Sequence, residues 1–171
     1  MKRNSIKILV TGTPGTGKSS FCNCIFNKFK NVELFNVSEI VKSNTKLQDY
    51  FDEDLQTVVI NDSRTRKFIK KMILSSNAEI IVLETHSASL FKKLQFDIVF
   101  VLRAPTEVLF DRLKKRNYTK EKIEENIIAE IMQVCLDEVR EILGSSKVVE
   151  FRSVSESDLI GPIEILESLI N

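Results

Sequence analysis

Histidine, cysteine and glycine are scarce in this chain, and the few cysteines limit the kinds of structural site that the protein can contain. There is one histidine, His86, and there are three cysteines among the 171 residues. Cys22, Cys24 and Cys135 form an odd set without metal-ligand spacing, so the sequence predicts neither a disulfide framework nor a cysteine metal site. We therefore expect reduced thiols in an intracellular protein.

The chain also lacks an excess of charge and a long apolar run. Lys and Arg number 25 against 24 Asp and Glu, so the net charge of +1 gives no argument for nucleic-acid or membrane binding. The apolar run at 6–10 is too short for a signal-peptide core or a membrane span. An apolar fraction of 43% fits a single globular domain over residues 1–171, and we expect no membrane partner.

Strand and helix patterns alternate along the chain. Nearly pure apolar runs at 78–83 and 96–102 are typical of parallel strands that are buried on both faces. Further strands are predicted at 6–11, 32–37 and 147–151. This alternation predicts an α/β fold with a central parallel sheet flanked by helices.

The predicted helices have recognisable ends. Ser38 is a good N-cap for a helix from Glu39, and Thr119 is expected to cap one long helix that Gly144 ends. Segment 43–63 is polar and acidic without clear periodicity, so we expect it to be mobile with short helical pieces. The other predicted helices cover 18–30, 64–76, 106–116 and 162–170.

Three of the five glycines lie in one segment that follows the first predicted strand and opens the first predicted helix. The segment matches the pattern G-x-x-x-x-G-K-[ST], in which glycines let backbone N–H groups face a phosphate. Lys18 supplies a cation for the β- and γ-phosphates of ATP, and the Ser19 hydroxyl is a ligand for Mg²⁺. We predict that ATP is bound by Gly12, Pro14, Gly15, Thr16, Gly17, Lys18, Ser19 and Ser20.

Guanine specificity is not expected. A GTPase needs an Asn-Lys-x-Asp motif that reads the base, and the only Asn-Lys pair, Asn27-Lys28, lies inside the first predicted helix.

Five stretches in order carry a family resemblance over roughly residues 6–140. They are the loop 11–20; Asn36-Val37; Phe51-Asp52-Glu53-Asp54 with Asp62-x-Arg64; Ile98 to Arg103; and Arg112-Leu113-x-x-Arg116-x-Tyr118 with the helix that contains Asn126, Glu130 and Gln133. Together they resemble the adenylate kinase isoenzyme 6 family, small nuclear adenylate kinase-like ATPases.

The resemblance implies a P-loop nucleoside monophosphate kinase fold with a monophosphate-binding region at 36–59 and a short lid at 115–125. It implies transfer of the ATP γ-phosphate to AMP or dAMP, and ATPase activity. It also implies a role in small ribosomal subunit maturation with a small-subunit ribosomal protein and the pre-ribosome as partners, in the nucleus and the cytoplasm.

Glu84 and His86 follow a buried strand, at the sheet edge where ligands bind in this architecture. An acidic residue there orients Mg²⁺ or its waters, so Glu84 is a predicted metal ligand together with Ser19. The family has Asp-x-His at this place, and here Glu84 is one methylene longer. The resemblance gives His86 a role in ATP hydrolysis, whereas a lone histidine is more often structural.

An arginine is expected to place positive charge beside the transferred phosphate. Arg116 matches a lid arginine of the family, and it is predicted both to bind ATP and to be the catalytic arginine beside Lys18 and His86. Arg112 and Arg103 are weaker candidates, with structural ion pairs as the alternative. Lys42 stands where the resemblance places an arginine for the AMP phosphate. The positive charge is kept, but the planar guanidinium that can bind a phosphate through two hydrogen bonds is lost.

Two acidic residues and one basic face leave alternatives open. Asp52 and Glu53 either help to hold the acceptor or form a solvated loop. Arg64, Lys67 and Lys71 share one face of a predicted helix, which is either solvated or in contact with ribosomal RNA or an acidic partner.

Three functions are compatible with these features. The first is a nucleoside monophosphate kinase, and the second is a partner-regulated ATPase assembly factor with incidental kinase activity. The third is a kinase for another small acceptor.

Overall fold

The apolar runs form a five-stranded parallel sheet in the computed structural model, which describes residues 5–53, 57–143 and 148–170. The order across the sheet is β2-β5-β1-β6-β7, and the hairpin β3-β4 stands apart. The strands are β1 Ile6–Thr11, β2 Val32–Asn36, β3 Gln48–Asp52, β4 Thr57–Ile60, β5 Ile80–Glu84, β6 Ile98–Arg103 and β7 Val148–Arg152.

Helices cover both faces of this sheet, so the predicted α/β fold with a central parallel sheet is confirmed. Side chains alternate between the faces along each strand: Leu9 and Leu83 pack toward α3 and α6, whereas Val10 and Phe100 pack toward α1 and α7. The helices are α1 Lys18–Lys28, α2 Val37–Ser43, α3 Asp62–Ser75, α4 Thr106–Lys115, α5 Lys120–Ile131, α6 Val134–Leu143 and α7 Ile160–Ile170.

The strand order determines where the site lies. β1 is the central strand and pairs with β5 on one side and β6 on the other. The carboxyl ends of these three strands therefore meet at one edge, beside the start of α1. None of the helices in the described ranges is long and apolar enough to cross a membrane.

The single long helix predicted from Thr119 to Gly144 is wrong. The chain forms two helices, α5 and α6, and Gln133 between them has a left-handed backbone with φ of 57°. Apolar spacing continues across the break although the helices pack on different clusters, α5 through Ile123 and α6 through Leu136 and Val139, so periodicity alone did not reveal it. Thr119 does cap α5, since its side chain accepts a hydrogen bond from the Lys122 N–H; Gly144 lies outside the described residues.

Two further expectations need correction. Segment 43–63 does contain short helical pieces, at Thr45–Leu47 and in the first turn of α3, but it also contains a β-hairpin, β3 paired antiparallel with β4. Most β3 side chains are exposed, so the strand lacks the alternation that would have predicted it. The N-cap of α2 is Asn36, whose side chain accepts from the Glu39 N–H, and not Ser38.

Candidate nucleotide site

The loop between β1 and α1 has a backbone that only glycine allows at two positions. Gly12 has φ of 144°, and a Cβ there would lie 2.4 Å from the Leu102 carbonyl oxygen. Gly17 has φ of 98° and caps α1, and a Cβ there would lie 2.6 Å from Ser153 Oγ. The tight turn that the sequence pattern predicts is therefore present.

This turn leaves hydrogen-bond donors at the start of α1. In the described part of the chain, no hydrogen bond is found for the backbone N–H groups of Gly15, Gly17, Lys18 and Ser19. Donors at a helix N-terminus, with the helix dipole behind them, suit a phosphate group. The loop fits the triphosphate of a nucleotide on this ground.

Lys18 is buried, and its ammonium is held by the loop itself. Nζ donates to the carbonyl oxygens of Gly12 at 2.7 Å and Thr13 at 3.0 Å. The pKa of Lys18 is lowered to about 8, chiefly by desolvation; Cys135 and Glu84 oppose this shift, and Arg116 contributes to it. A phosphate beside this ammonium would restore the charge that burial disfavours.

Glu84 ends β5 with a buried carboxylate that joins two other elements. Oε1 accepts from Ser19 Oγ at 2.7 Å, and Oε2 accepts from Asn36 Nδ2 at 3.0 Å. A hydroxyl and a carboxylate are oxygen ligands of the kind Mg²⁺ prefers, usually one or two from the protein with phosphates completing the shell. The described residues contain no cluster of three or more His, Cys, Asp or Glu that could hold a metal.

His86 lies just beyond Glu84 with an exposed side chain. Desolvation by the surrounding protein and the nearby Lys18 ammonium lower the pKa of His86 to about 3. The ring is therefore neutral at physiological pH. Its loop is anchored to α6, where the Glu138 carboxylate accepts from Ser87 Oγ and from the Ala88 N–H.

The three arginines named from the sequence differ in their surroundings. Arg116 is exposed and lines the phosphate site. Arg112 donates to the carbonyl oxygens of Gly15, Ser153 and Val154. Arg103 pairs with Glu130 and Glu150. Of the three, only Arg116 lines the phosphate site, and no such protein partner is found for it in the described part of the chain.

Three clefts lie in series around the loop. The phosphate cradle, about 60 Å³, is the small central cleft, and Lys18, Ser19, Glu84, His86 and Arg116 are among the residues that line it. A donor cleft of about 610 Å³ shares Gly15, Gly17, Ser20 and Arg116 with the cradle. An acceptor cleft of about 580 Å³ shares His86 with it.

The acceptor cleft contains the residue that departs from the family pattern. Lys42 lines this cleft, as do Phe51 from the β3-β4 hairpin and Tyr118 from the α4-α5 turn. Its walls are largely apolar, with Val37, Val41, Val58 and Ile60 among them. Arg64, Lys67 and Lys71 are exposed on α3.

Thr16 and Pro14 occupy different surroundings within the loop. Thr16 is buried, and its hydroxyl donates to the Thr13 carbonyl at 2.8 Å. Pro14 lies at the rim of the acceptor cleft. The predicted ATP-binding residues from Gly12 to Ser20 lie in one contiguous segment, the β1-α1 loop and the first turn of α1.

Sequence reasoning missed a contact of Thr13. Its hydroxyl donates to the buried carboxylate of Glu130 at 2.5 Å, across 117 residues of chain. Glu130 falls seven residues after the buried Ile123, on the inner face of α5. An acidic residue on an apolar helix face was the signal that could have indicated it.

Comparison with known proteins agrees with this geometry. Residues 8–133 match the AAA domain family. The chain is similar to an adenylate kinase isoenzyme 6 homolog of Dictyostelium discoideum, with 37% identity over 92% of this chain and 87% of the relative. A homolog of the same name from Caenorhabditis elegans is 39% identical over 88% of this chain and 81% of the relative's length.

Among solved structures, a shikimate kinase from Bacteroides thetaiotaomicron superposes with a TM-score of 0.59 over 96% of this chain and 98% of that one. At 14% identity this likeness supports the fold alone.

Proposed function

Because the chain belongs to the adenylate kinase isoenzyme 6 family, we propose that it transfers the γ-phosphate of ATP to AMP or dAMP. The observation that carries the proposal is the series of three clefts, with the phosphate cradle between two clefts of similar volume. Phosphoryl transfer between two nucleotides needs both held in line on either side of one phosphate site.

ATP is assigned to the donor cleft. The backbone N–H groups of the loop bind its phosphates, and Lys18 neutralises charge on the β- and γ-phosphates. Arg116 borders both the donor cleft and the cradle, so its guanidinium reaches the phosphate that moves. Ser19 and Glu84 would hold Mg²⁺, which neutralises phosphate charge when bound.

AMP is assigned to the acceptor cleft, formed in part by the monophosphate-binding region 36–59. The apolar walls suit a base, and Lys42 offers a cation for the monophosphate. An oxygen of this monophosphate attacks the γ-phosphorus, the bond from the γ-phosphorus to the β–γ bridging oxygen breaks, and two ADP molecules form. Residues 115–125 form the proposed lid, from which Tyr118 and Lys122 line the acceptor cleft.

ATP hydrolysis is a second activity of the same site, and the position of His86 favours it. His86 borders both the cradle and the acceptor cleft, and its neutral ring offers a hydrogen bond to a water molecule. When the acceptor cleft holds no AMP, that water takes the place of the acceptor oxygen. The protein then acts as an ATPase.

The family resemblance supports one further step, in which this ATPase serves small ribosomal subunit maturation in the nucleus and the cytoplasm. The exposed cations of α3 suit contact with ribosomal RNA or with an acidic ribosomal protein. Association with small-subunit precursors in a sedimentation gradient, and its loss in Lys67→Glu/Lys71→Glu, would support this step. An unchanged gradient profile would contradict the assigned face.

The kinase assignment is tested by measuring ADP formation from ATP and Mg²⁺, alone and with AMP, dAMP, CMP, GMP or UMP. We expect AMP and dAMP to stimulate ADP formation most. Equal rates with and without every monophosphate would contradict the kinase assignment and leave the ATPase.

A further inference from the structure

Glu130 is a buried carboxylate outside the three clefts that nevertheless contacts the phosphate loop. It lies near the end of α5 and is 3% exposed. Oε1 accepts from Arg103 Nε at 2.6 Å and from the Ala104 N–H at 3.1 Å. Oε2 accepts from Thr13 Oγ1 at 2.5 Å.

The contacts of Oε1 explain how the negative charge of Glu130 is tolerated in a buried position, but they do not explain why the carboxylate faces the phosphate loop. Arg103 compensates the carboxylate, and its Nη2 also donates to the Glu130 carbonyl at 2.8 Å. A negative charge beside a loop that binds phosphate opposes the ligand. A purely structural contact with Thr13 could be made by a neutral acceptor, so the strong charge-assisted bond on Oε2 points to a need for precise placement.

Thr13 is the residue whose carbonyl organises the loop. That oxygen accepts from Lys18 Nζ at 3.0 Å, from Thr16 Oγ1 at 2.8 Å and from the Thr16 N–H at 3.2 Å. The next residue is Pro14, so the Thr13-Pro14 peptide has no N–H and contributes this carbonyl alone. Rotation of Thr13 would move the acceptor on which the Lys18 ammonium rests.

We propose that Glu130 is a positioning residue of the phosphate loop, which fixes Thr13 and through its carbonyl the resting place of the Lys18 ammonium. The inference rests on the proposed function, since Lys18 must act on the ATP phosphates for its position to matter. Glu130 touches no reacting atom and acts through Thr13.

The first test compares Thr13→Val with Thr13→Ser. Valine removes the hydroxyl at nearly constant volume and leaves the Arg103–Glu130 pair in place, whereas serine keeps the hydroxyl. We expect Thr13→Val to lower ATP turnover by roughly 10- to 100-fold, the scale of a small misplacement of a catalytic group. Thr13→Ser should stay within about threefold of wild type, well below the loss expected for Thr13→Val.

The second test is a double-mutant cycle of Thr13→Val with Glu130→Met. If Glu130 acts through Thr13, Glu130→Met has little further effect on turnover once the hydroxyl is gone. A purely structural Glu130 would lower turnover by the same factor in both backgrounds. Should Glu130→Met fail to fold, the Thr13→Val and Thr13→Ser pair still decides the matter.

Glu150→Gln is the matched control, because Glu150 contacts the same Arg103 at 3.1 Å and no contact between Glu150 and the loop is found among the described residues. It should leave turnover unchanged. All variants are assayed for turnover, melting temperature and affinity for a fluorescent ATP analogue. Wild-type protein that binds this analogue but turns over no ATP would contradict the proposed function; an active wild type with fully active Thr13→Val would overturn only the role of Glu130.

Discussion

The phosphate cradle and the acceptor cleft adjoin each other but are built in different ways. The cradle comes from one short segment, Gly15 to Ser20, together with the single residues Glu84, His86 and Arg116. The acceptor cleft combines α2, the β3-β4 hairpin, the start of α3 and the α4-α5 turn, and its walls are mostly apolar. Chemistry that depends on backbone geometry is therefore local in sequence, and acceptor recognition is distributed.

This difference predicts unequal sensitivity to mutation. A change in the cradle removes charge stabilisation from the moving phosphate, which is the larger effect. A change in the acceptor cleft alters one contact among many. The following variants test that contrast from the largest expected effect to the smallest.

Lys18→Ala should lower ATP turnover by at least ~100-fold, because a preorganised cation is lost from the transition state. Lys18→Met keeps the aliphatic stem and should be equally inactive. Its melting temperature should not fall, since the variant no longer buries an ammonium. Lys28→Ala is the control. Lys28 lies in α1, as Lys18 does, but it is exposed and pairs with Glu167 of α7, so this variant should remain active. Turnover within tenfold of wild type in Lys18→Ala would contradict the role of the loop.

His86→Ala should lower ATP hydrolysis by roughly 10-fold or more if the ring orients a water molecule. ATP affinity should change little, because the loop backbone and Lys18 carry binding. The side chain is exposed, so the melting temperature should also hold. Normal hydrolysis by a folded variant would remove His86 from the mechanism.

Lys42→Arg should lower the apparent KM for AMP by about fivefold, the equivalent of roughly 1 kcal/mol. The planar guanidinium makes two parallel bonds to a phosphate where the ammonium makes point contacts. Lys46→Arg, a neighbouring lysine that does not line the cleft, is the control. If AMP dependence is identical in all three proteins, Lys42 does not contact the acceptor phosphate.

The smallest effect concerns pH. Folding lowers the pKa of Lys18 from 10.5 to about 8, so between these values the unfolded chain holds the proton and the folded protein has lost it. Folding stability from this group therefore rises with pH in that window, while ATP affinity falls. Calorimetry in buffers of different ionisation enthalpy should detect proton uptake on ATP binding at pH 8.5 but not at pH 6.5. Lys18→Arg should abolish the uptake, because arginine stays charged.

The same contrast decides how much could be predicted from the sequence. The loop was predictable because its glycines, Lys18 and Ser19 are contiguous and lie between a strand and a helix. The sheet was predictable because strands buried on both faces are continuous apolar runs. The hairpin was missed because most of its first strand is exposed and carries no alternation.

Tertiary contacts of single polar residues were the other gap. The Glu130–Thr13 bond joins residues 117 positions apart, and the bond from Asn36 to Glu84 joins two strands. Local patterns report burial and periodicity, not which buried acid meets which hydroxyl. The left-handed Gln133 likewise breaks a helix without any glycine or proline to signal it.

The central claim is that the γ-phosphate passes from ATP in the donor cleft to AMP in the acceptor cleft. ATP labelled in its γ-phosphate, mixed with AMP, Mg²⁺ and the protein, tests it most directly when the label is followed through the first turnovers. Transfer predicts label in ADP, with little inorganic phosphate, and a shift of label to inorganic phosphate when AMP is omitted. Label found only in inorganic phosphate, with AMP present or absent, would contradict the kinase and identify the protein as an ATPase.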